Sequence, residues 1–98
     1  MTNPIRQLNR AFDNRIRLGI MALLMVNERL DFNTLKETLE LTDWNLASHL
    51  SALEQIQYIS VTKQFLGRKP NTSYTATPEG KRAFRDHIDG LESLIREQ

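Results

Sequence analysis

Residues 42–57 read TDWNLASHLSALEQIQ, and residues 58–76 continue as YISVTKQFLGRKPNTSYTA. In the first part Leu46, Leu50 and Leu53 fall at i, i+4 and i+7 and Ile56 extends the stripe, the spacing of a helix with one apolar face. Thr42 offers a side-chain cap at its start. The period then changes. Ile59, Val61 and Phe65 alternate with Ser60, Thr62 and Gln64, the two-residue repeat of a strand. Gly67-Arg68-Lys69-Pro70-Asn71 is dense in turn formers and Thr72–Ala76 is rich in strand formers, so a hairpin follows whose tip carries Arg68 and Lys69.

Upstream, Asn33 is the expected cap of a short helix whose Leu35 and Leu39 share a face. Two short helices joined by a tight turn outline a helix-turn-helix, although helical hairpins of other kinds share that outline. Ile16, Ile20, Leu23 and Leu24 predict a largely buried core helix capped by Asn14. Ile5, Leu8 and Phe12 recur at helical spacing after Pro4 and predict an opening helix within residues 1–13. Downstream, Thr77-Pro78-Glu79 reads as cap, first-turn proline and early carboxylate of a last helix over residues 78–98. Its Phe84, Ile88, Leu91 and Ile95 alternate steps of four and three, with Leu94 widening the seam. Gly90 costs roughly 1 kcal/mol against Ala in a helix interior and is tolerable where it permits a close crossing.

Ninety-eight residues, 40% hydrophobic and 26% charged, suit one globular domain over residues 1–98. No apolar run reaches the roughly 20 residues of a membrane span, and no apolar signal segment opens the chain, so a cytoplasmic protein without a membrane partner is expected. Absence of cysteine excludes disulfides, thiolate zinc sites and thiol chemistry. Net charge is only +1, but its distribution is uneven: residues 1–30 hold five basic and two acidic side chains, and residues 63–69 hold three basic and none acidic.

A helix that enters a major groove needs short polar side chains backed by an apolar stripe. With Leu46, Leu50 and Leu53 inward, Asn45, Ser48 and His49 are the expected base or phosphate contacts, beside Thr42 and Asp43. No Lys or Arg lies between Asp43 and Gln57, so phosphate attraction falls to Arg68 and Lys69 at the hairpin tip, with Lys63 and the N-terminal arginines adding to it and Asn71 of the same loop as a further DNA contact. Trp44 can stack on sugar or base, pack against the preceding helix, or contact a partner; packing is favoured because large aromatics are more often buried. His49 and His87, the latter beside Asp86 and Asp89, make a poor metal set because adjacent helical residues diverge. No nucleophile with a base partner, phosphate-cradling glycine loop or carboxylate pair points to an enzyme, and no cofactor is implied.

From Asn14 to about Leu94 the chain resembles the winged-helix DNA-binding domains of MarR/ArsR-like bacterial and archaeal transcriptional regulators, particularly a short single-domain group of them. The resemblance is carried by Leu41-Thr42-Asp43 through Leu46, His49-Leu50 and Leu53-Glu54; by Phe65–Pro70 with Thr72 and Tyr74; and by Thr77-Pro78-Glu79-Gly80 with Phe84. It implies a mainly α fold with a small β-hairpin wing, a winged helix-turn-helix with terminal dimerisation helices. The helix from Asp43 would lie in the major groove, the loop from Gly67 to Asn71 would be the wing, and Ile5, Leu8, Phe12, Phe84, Ile88, Leu91, Leu94 and Ile95 would make a homodimer. Such relatives often carry basic residues where Ser51 and Ala52 stand, and glycine where Trp44 and Gln57 stand; either Gln57 holds a left-handed helix end at some cost or the helix ends differently.

The expected function is sequence-specific binding of double-stranded DNA, as a repressor on a two-fold operator. The alternative is a winged-helix protein-interaction module, which Trp44 and a helix with Asp43 and Glu54 but no Lys or Arg favour. A small-molecule effector, if there is one, has a single place to bind, a crevice between the dimer helices and the winged body.

Overall fold

The structure, a computed structural model, describes residues 3–96; the ends of the two expected terminal helices, residues 1, 2, 97 and 98, lie outside the described residues. Helix α1 spans Arg15–Val26 and starts where Asn14 accepts from the backbone N–H groups of Ile16 and Arg17 at 2.8 and 3.2 Å. Its Ile20, Met21 and Leu24 are fully buried. A two-residue strand β1, Leu30–Asp31, then leads directly into α2, Phe32–Leu39. The cap of α2 is therefore Asp31, not Asn33: its carboxylate accepts from the Thr34 N–H at 2.8 Å. Strand pairing fixes Asp31 in extended backbone opposite Ser73, leaving it in cap geometry two residues earlier than the local signal suggested.

Helix α3 spans Asp43–Gln55 and begins at Thr42, whose hydroxyl accepts from the Asn45 N–H at 3.1 Å. Leu46, Leu50 and Leu53 are buried, and Leu35 joins them in the core. The helix ends through Gln57 at φ 65°, the left-handed one of the two endings that the sequence left open. The Tyr58 N–H then reaches back to the Leu53 carbonyl at 3.0 Å, closing the helix end.

Strands β2, Ile59–Leu66, and β3, Lys69–Ala76, pair antiparallel from Ile59↔Ala76 to Leu66↔Lys69, and β1 pairs with β3 to complete a three-stranded sheet of order β1-β3-β2. The turn is shorter than the expected loop of residues 67–71. Only Gly67 and Arg68 connect the strands, with Gly67 at φ 66°, and Lys69, Pro70 and Asn71 already belong to β3. Proline is accommodated there because β1 pairs only as far as Ser73, so β3 has one neighbour at Pro70. Beyond Val61 the hairpin leaves the core: Phe65 is 72% exposed.

Helix α4, Pro78–Arg96, starts where the Thr77 hydroxyl accepts from the Gly80 N–H at 2.9 Å and donates to the Gln57 carbonyl at 2.7 Å. The opening segment is not one helix. It forms two short 3-10 turns, Pro4–Gln7 and Arg10–Phe12, with Leu8 extended between them. Asn3 and Asn9 break it up: each side chain caps the turn that follows, accepting from Ile5 N–H at 3.0 Å and Ala11 N–H at 2.9 Å. This segment runs against Gly90, where a Cβ would stand 2.9 Å from the Gln7 Cβ and 3.1 Å from the Pro4 carbonyl oxygen. The close crossing expected at Gly90 is thus made with the chain's own opening segment.

Candidate nucleic-acid interface

At about 100° per residue, the buried stripe of α3 leaves Trp44, Ser48, Ser51 and Gln55 on the opposite, solvent-facing side. Trp44 is 79% exposed, so the packing expected for it does not occur. The reason is helical phase: Trp44 lies two positions before buried Leu46, roughly half a turn round the helix. Asn45 and Ser48 are exposed as expected.

His49 differs. It follows Ser48 onto the flank of α3 that faces α1, is half-buried, and its Nδ1 accepts from the Arg17 Nε–H at 3.1 Å. Burial, aided by the charge of Arg17, lowers its pKa, which keeps the imidazole neutral and able to accept. At the helix start, the Asp43 carboxylate pairs with Lys36 of α2 at 2.7 Å, so the acid that stands near the helix N-terminus is neutralised by a neighbouring element.

On the other flank of α3, a groove separates Ser51 and Glu54 from Val61, Lys63 and Tyr74 of the sheet. Lys63 is exposed on the wing side of that groove, and Arg68 and Lys69 stand exposed at the wing tip. Asn71 is set back from the tip, opposite Gln64 and beside Asp31. Hydrogen bonds from Thr34, with a smaller one from Asn71, hold the Asp31 carboxyl below the usual carboxylate range. Ser51 and Gln55 join this surface, the first noted from sequence only as a place where relatives carry a basic residue and the second not at all, and so does Arg17, which the sequence offered only as one of the N-terminal arginines. The first two follow from the phase of the leucine stripe; Arg17 belongs to a different helix and carries no local signal.

The residues expected in a subunit interface divide in two. Phe12 and Phe84 are buried in the protomer's own core, their rings 5.4 Å apart edge to face, with Tyr58 5.8 Å and His87 5.2 Å from Phe12. They are not available to a second subunit. Ile5, Ile88, Leu91 and Ile95 remain exposed, the last at 72%, and Leu8 and Leu94 are half-buried. His87 is buried with its Nδ1 accepting from the Asn9 N–H at 2.9 Å. Among the described residues no group of three or more His, Asp or Glu side chains could hold a metal ion, and no helix is long and apolar enough to cross a membrane.

The family model of the winged helix DNA-binding domain matches residues 16–95. An uncharacterized protein of Methanocaldococcus jannaschii is 37% identical over 85 residues, which span 87% of this chain and 92% of that protein. The structure of a transcriptional regulator homologue from Pyrococcus horikoshii OT3 superposes with a TM-score of 0.84 at 27% identity, covering 91% of this chain and 88% of that one. The YusO protein of Bacillus subtilis shares the fold at 18% identity, with a TM-score of 0.82 over 97% of this chain and 67% of that one. The winged helix-turn-helix and the likeness to transcriptional regulators read from the sequence are both borne out.

Proposed function

The chain belongs to the winged helix DNA-binding domain family, and from that premise we propose that it is a homodimeric, sequence-specific repressor that occupies a two-fold operator. The observation that carries this reading is the exposed polar face of α3, opposite Leu46, Leu50 and Leu53, standing beside a wing with Lys63, Arg68 and Lys69 on its surface. Each α3 enters a major groove, where Trp44, Asn45 and Ser48 meet base edges and Thr42 approaches the backbone, while Asp43 stays at the helix start in its ion pair with Lys36. The wing lies along the adjacent backbone, with Arg68 and Lys69 on phosphates or in the minor groove and Asn71 near its base.

In this proposal Ile5, Ile88, Leu91, Leu94 and Ile95, with Leu8 at the margin, pack against the same residues of a second copy. The packing of the opening segment along α4 supports treating residues 1–98 as a single domain; action in the cytoplasm is part of the same proposal and follows from the DNA-binding role.

A salt titration of DNA binding tests the reading. Phosphate contacts give a logarithmic slope of about 0.9 per phosphate neutralised, so affinity should fall steeply with salt. Replacing Arg68 and Lys69 with Ala should lower the slope and weaken all sequences alike, because phosphate contacts position without reading bases. The second reading, a protein-interaction module, is favoured by the 79% exposure of Trp44 on a helix without Lys or Arg. It expects no DNA binding at any salt and salt-insensitive binding to a protein.

A further inference from the structure

A helix seated in a major groove lies between two phosphate backbones. Helix α3 has no Lys or Arg of its own, and the fold brings a cation to each of its flanks from other elements. On the wing side stands Lys63, across the groove from Ser51 and Glu54. On the other side stands Arg17, in the first turn of α1, which donates from Nε to the Nδ1 of His49 at 3.1 Å.

The pairing of Arg17 is unusual for a half-buried arginine. A guanidinium carries five N–H donors and commonly meets a carboxylate two bonds at a time. Among the described residues the ion pairs are Lys36–Asp43 and Glu92–Arg96, and none includes Arg17. Its partner is a neutral imidazole that takes the Nε–H alone. The edge bearing the two terminal nitrogens, which matches the oxygens of a phosphate, is left uncommitted, and so is the full positive charge.

We propose that Arg17 contacts a backbone phosphate beside α3, and that His49 is a positioning residue that fixes the guanidinium through Nε so that its outer edge faces the phosphate. The assignment rests on the DNA-binding reading above. It removes His49 from the base-reading face, in agreement with its place on the α1 flank, and gives a helix whose own charged side chains are Asp43 and Glu54 a phosphate anchor on each side. The lowered pKa of His49, from burial and from Arg17, keeps the imidazole in the accepting form that this role requires.

The test is the salt dependence of binding to a short random-sequence DNA duplex, since a phosphate contact does not depend on base sequence. Arg17→Gln should reduce the logarithmic slope by about 0.9 for each bound protomer, and Arg17→Lys should keep it. His49→Ala should weaken binding in the wild-type background and have little further effect in Arg17→Gln, because it acts through Arg17. A purely structural role would lower Tm and leave the slope where it was. A measurement on the unaltered protein removes dependence on folding of the variants: the Arg17 Nε–H resonance should shift when the duplex is added. A steep wild-type slope unchanged in Arg17→Gln, or an unmoved Nε–H resonance with DNA bound, overturns the Arg17 assignment. Additive losses in the double variant overturn the role of His49. A wild-type protein with no salt-dependent DNA binding sinks the DNA-binding reading itself.

Discussion

The backbone N–H of Asn9 donates to Nδ1 of His87 at 2.9 Å, tying the opening segment to the middle of α4. The Asn9 side chain adds a second tie, donating from Nδ2 to the Tyr58 hydroxyl at 2.8 Å. A buried donor left without its acceptor costs about 1–3 kcal/mol, and removing the ring also opens a gap beside Phe12. His87→Ala should therefore lower stability by at least about 1 kcal/mol and accelerate amide exchange at Asn9. Denaturant unfolding with hydrogen exchange checks both; an unchanged midpoint would show that the contact contributes nothing.

Gln57 holds φ 65° with its carbonyl accepting from the Thr77 hydroxyl. A side chain in the left-handed region costs roughly 1 kcal/mol, and glycine relieves it at the expense of a more flexible unfolded chain. The two effects partly offset, so Gln57→Gly should raise stability by up to about 1 kcal/mol. A Gln57→Gly variant that melts lower than wild type would mean that the Gln57 side chain makes a stabilising contact of its own.

What local periodicity encodes was legible: the leucine stripe of α3, the caps at Asn14, Thr42 and Thr77, and the alternation of β2. Partners distant in sequence were not. Strand β1 is two residues long and exists only because β3 pairs with it, which moves the α2 cap from Asn33 to Asp31. The stripe Phe84, Ile88, Leu91, Ile95 was visible as a stripe, but its period does not reveal that Phe84 meets Phe12 within the protomer while Leu91 stays exposed. Trp44 is a different case: the phase of Leu46 already points it outward, and that local geometry outweighs the general tendency of tryptophan to be buried. The Arg17–His49 contact joins two helices and has no signature in either.

Because the His49 pKa is depressed in the folded state, the unfolded chain binds the proton more readily. Its contribution to stability is complete above the ordinary value of 6.5 and is lost as pH falls through the lower folded-state value. Unfolding free energy should thus decline as pH falls below about 6.5, and His49→Gln should decline less over that range. Parallel pH profiles for the two proteins would remove His49 as a source of the dependence.

Trp44 is the single tryptophan and is 79% exposed, so its fluorescence reports the outer face of α3 directly. Free protein should emit as a water-exposed indole. Adding duplex DNA should quench or blue-shift that emission, and Trp44→Ala should lose at least about 1 kcal/mol of binding from the buried apolar area. If DNA binds while the emission stays that of a solvated indole, Trp44 is outside the DNA contact and its exposure points to a protein partner.

The dimer proposal rests on residues that the protomer leaves uncovered. Ile88 and Leu91 are each 38% exposed and Ile95 is 72% exposed, at spacings of three and four along α4, with Ile5 of the opening segment 57% exposed. Full burial of such a side chain contributes roughly 1.5–3 kcal/mol, so even partial burial against a second copy is a substantial driving force. Leu91→Glu places a charge in the middle of that face. The folded protomer should survive, because the side chain already reaches solvent and Phe84 still packs on Phe12. Association should not survive, because a carboxylate without a partner is strongly disfavoured in an apolar interface. Two recognition helices act together only when held about one DNA turn apart, so the monomer should bind a single half-site weakly while its melting temperature stays near wild type. Sedimentation gives the oligomeric state and a titration on two half-sites gives the affinity. A Leu91→Glu protein that sediments as a dimer and binds as tightly as wild type would place the interface on another surface.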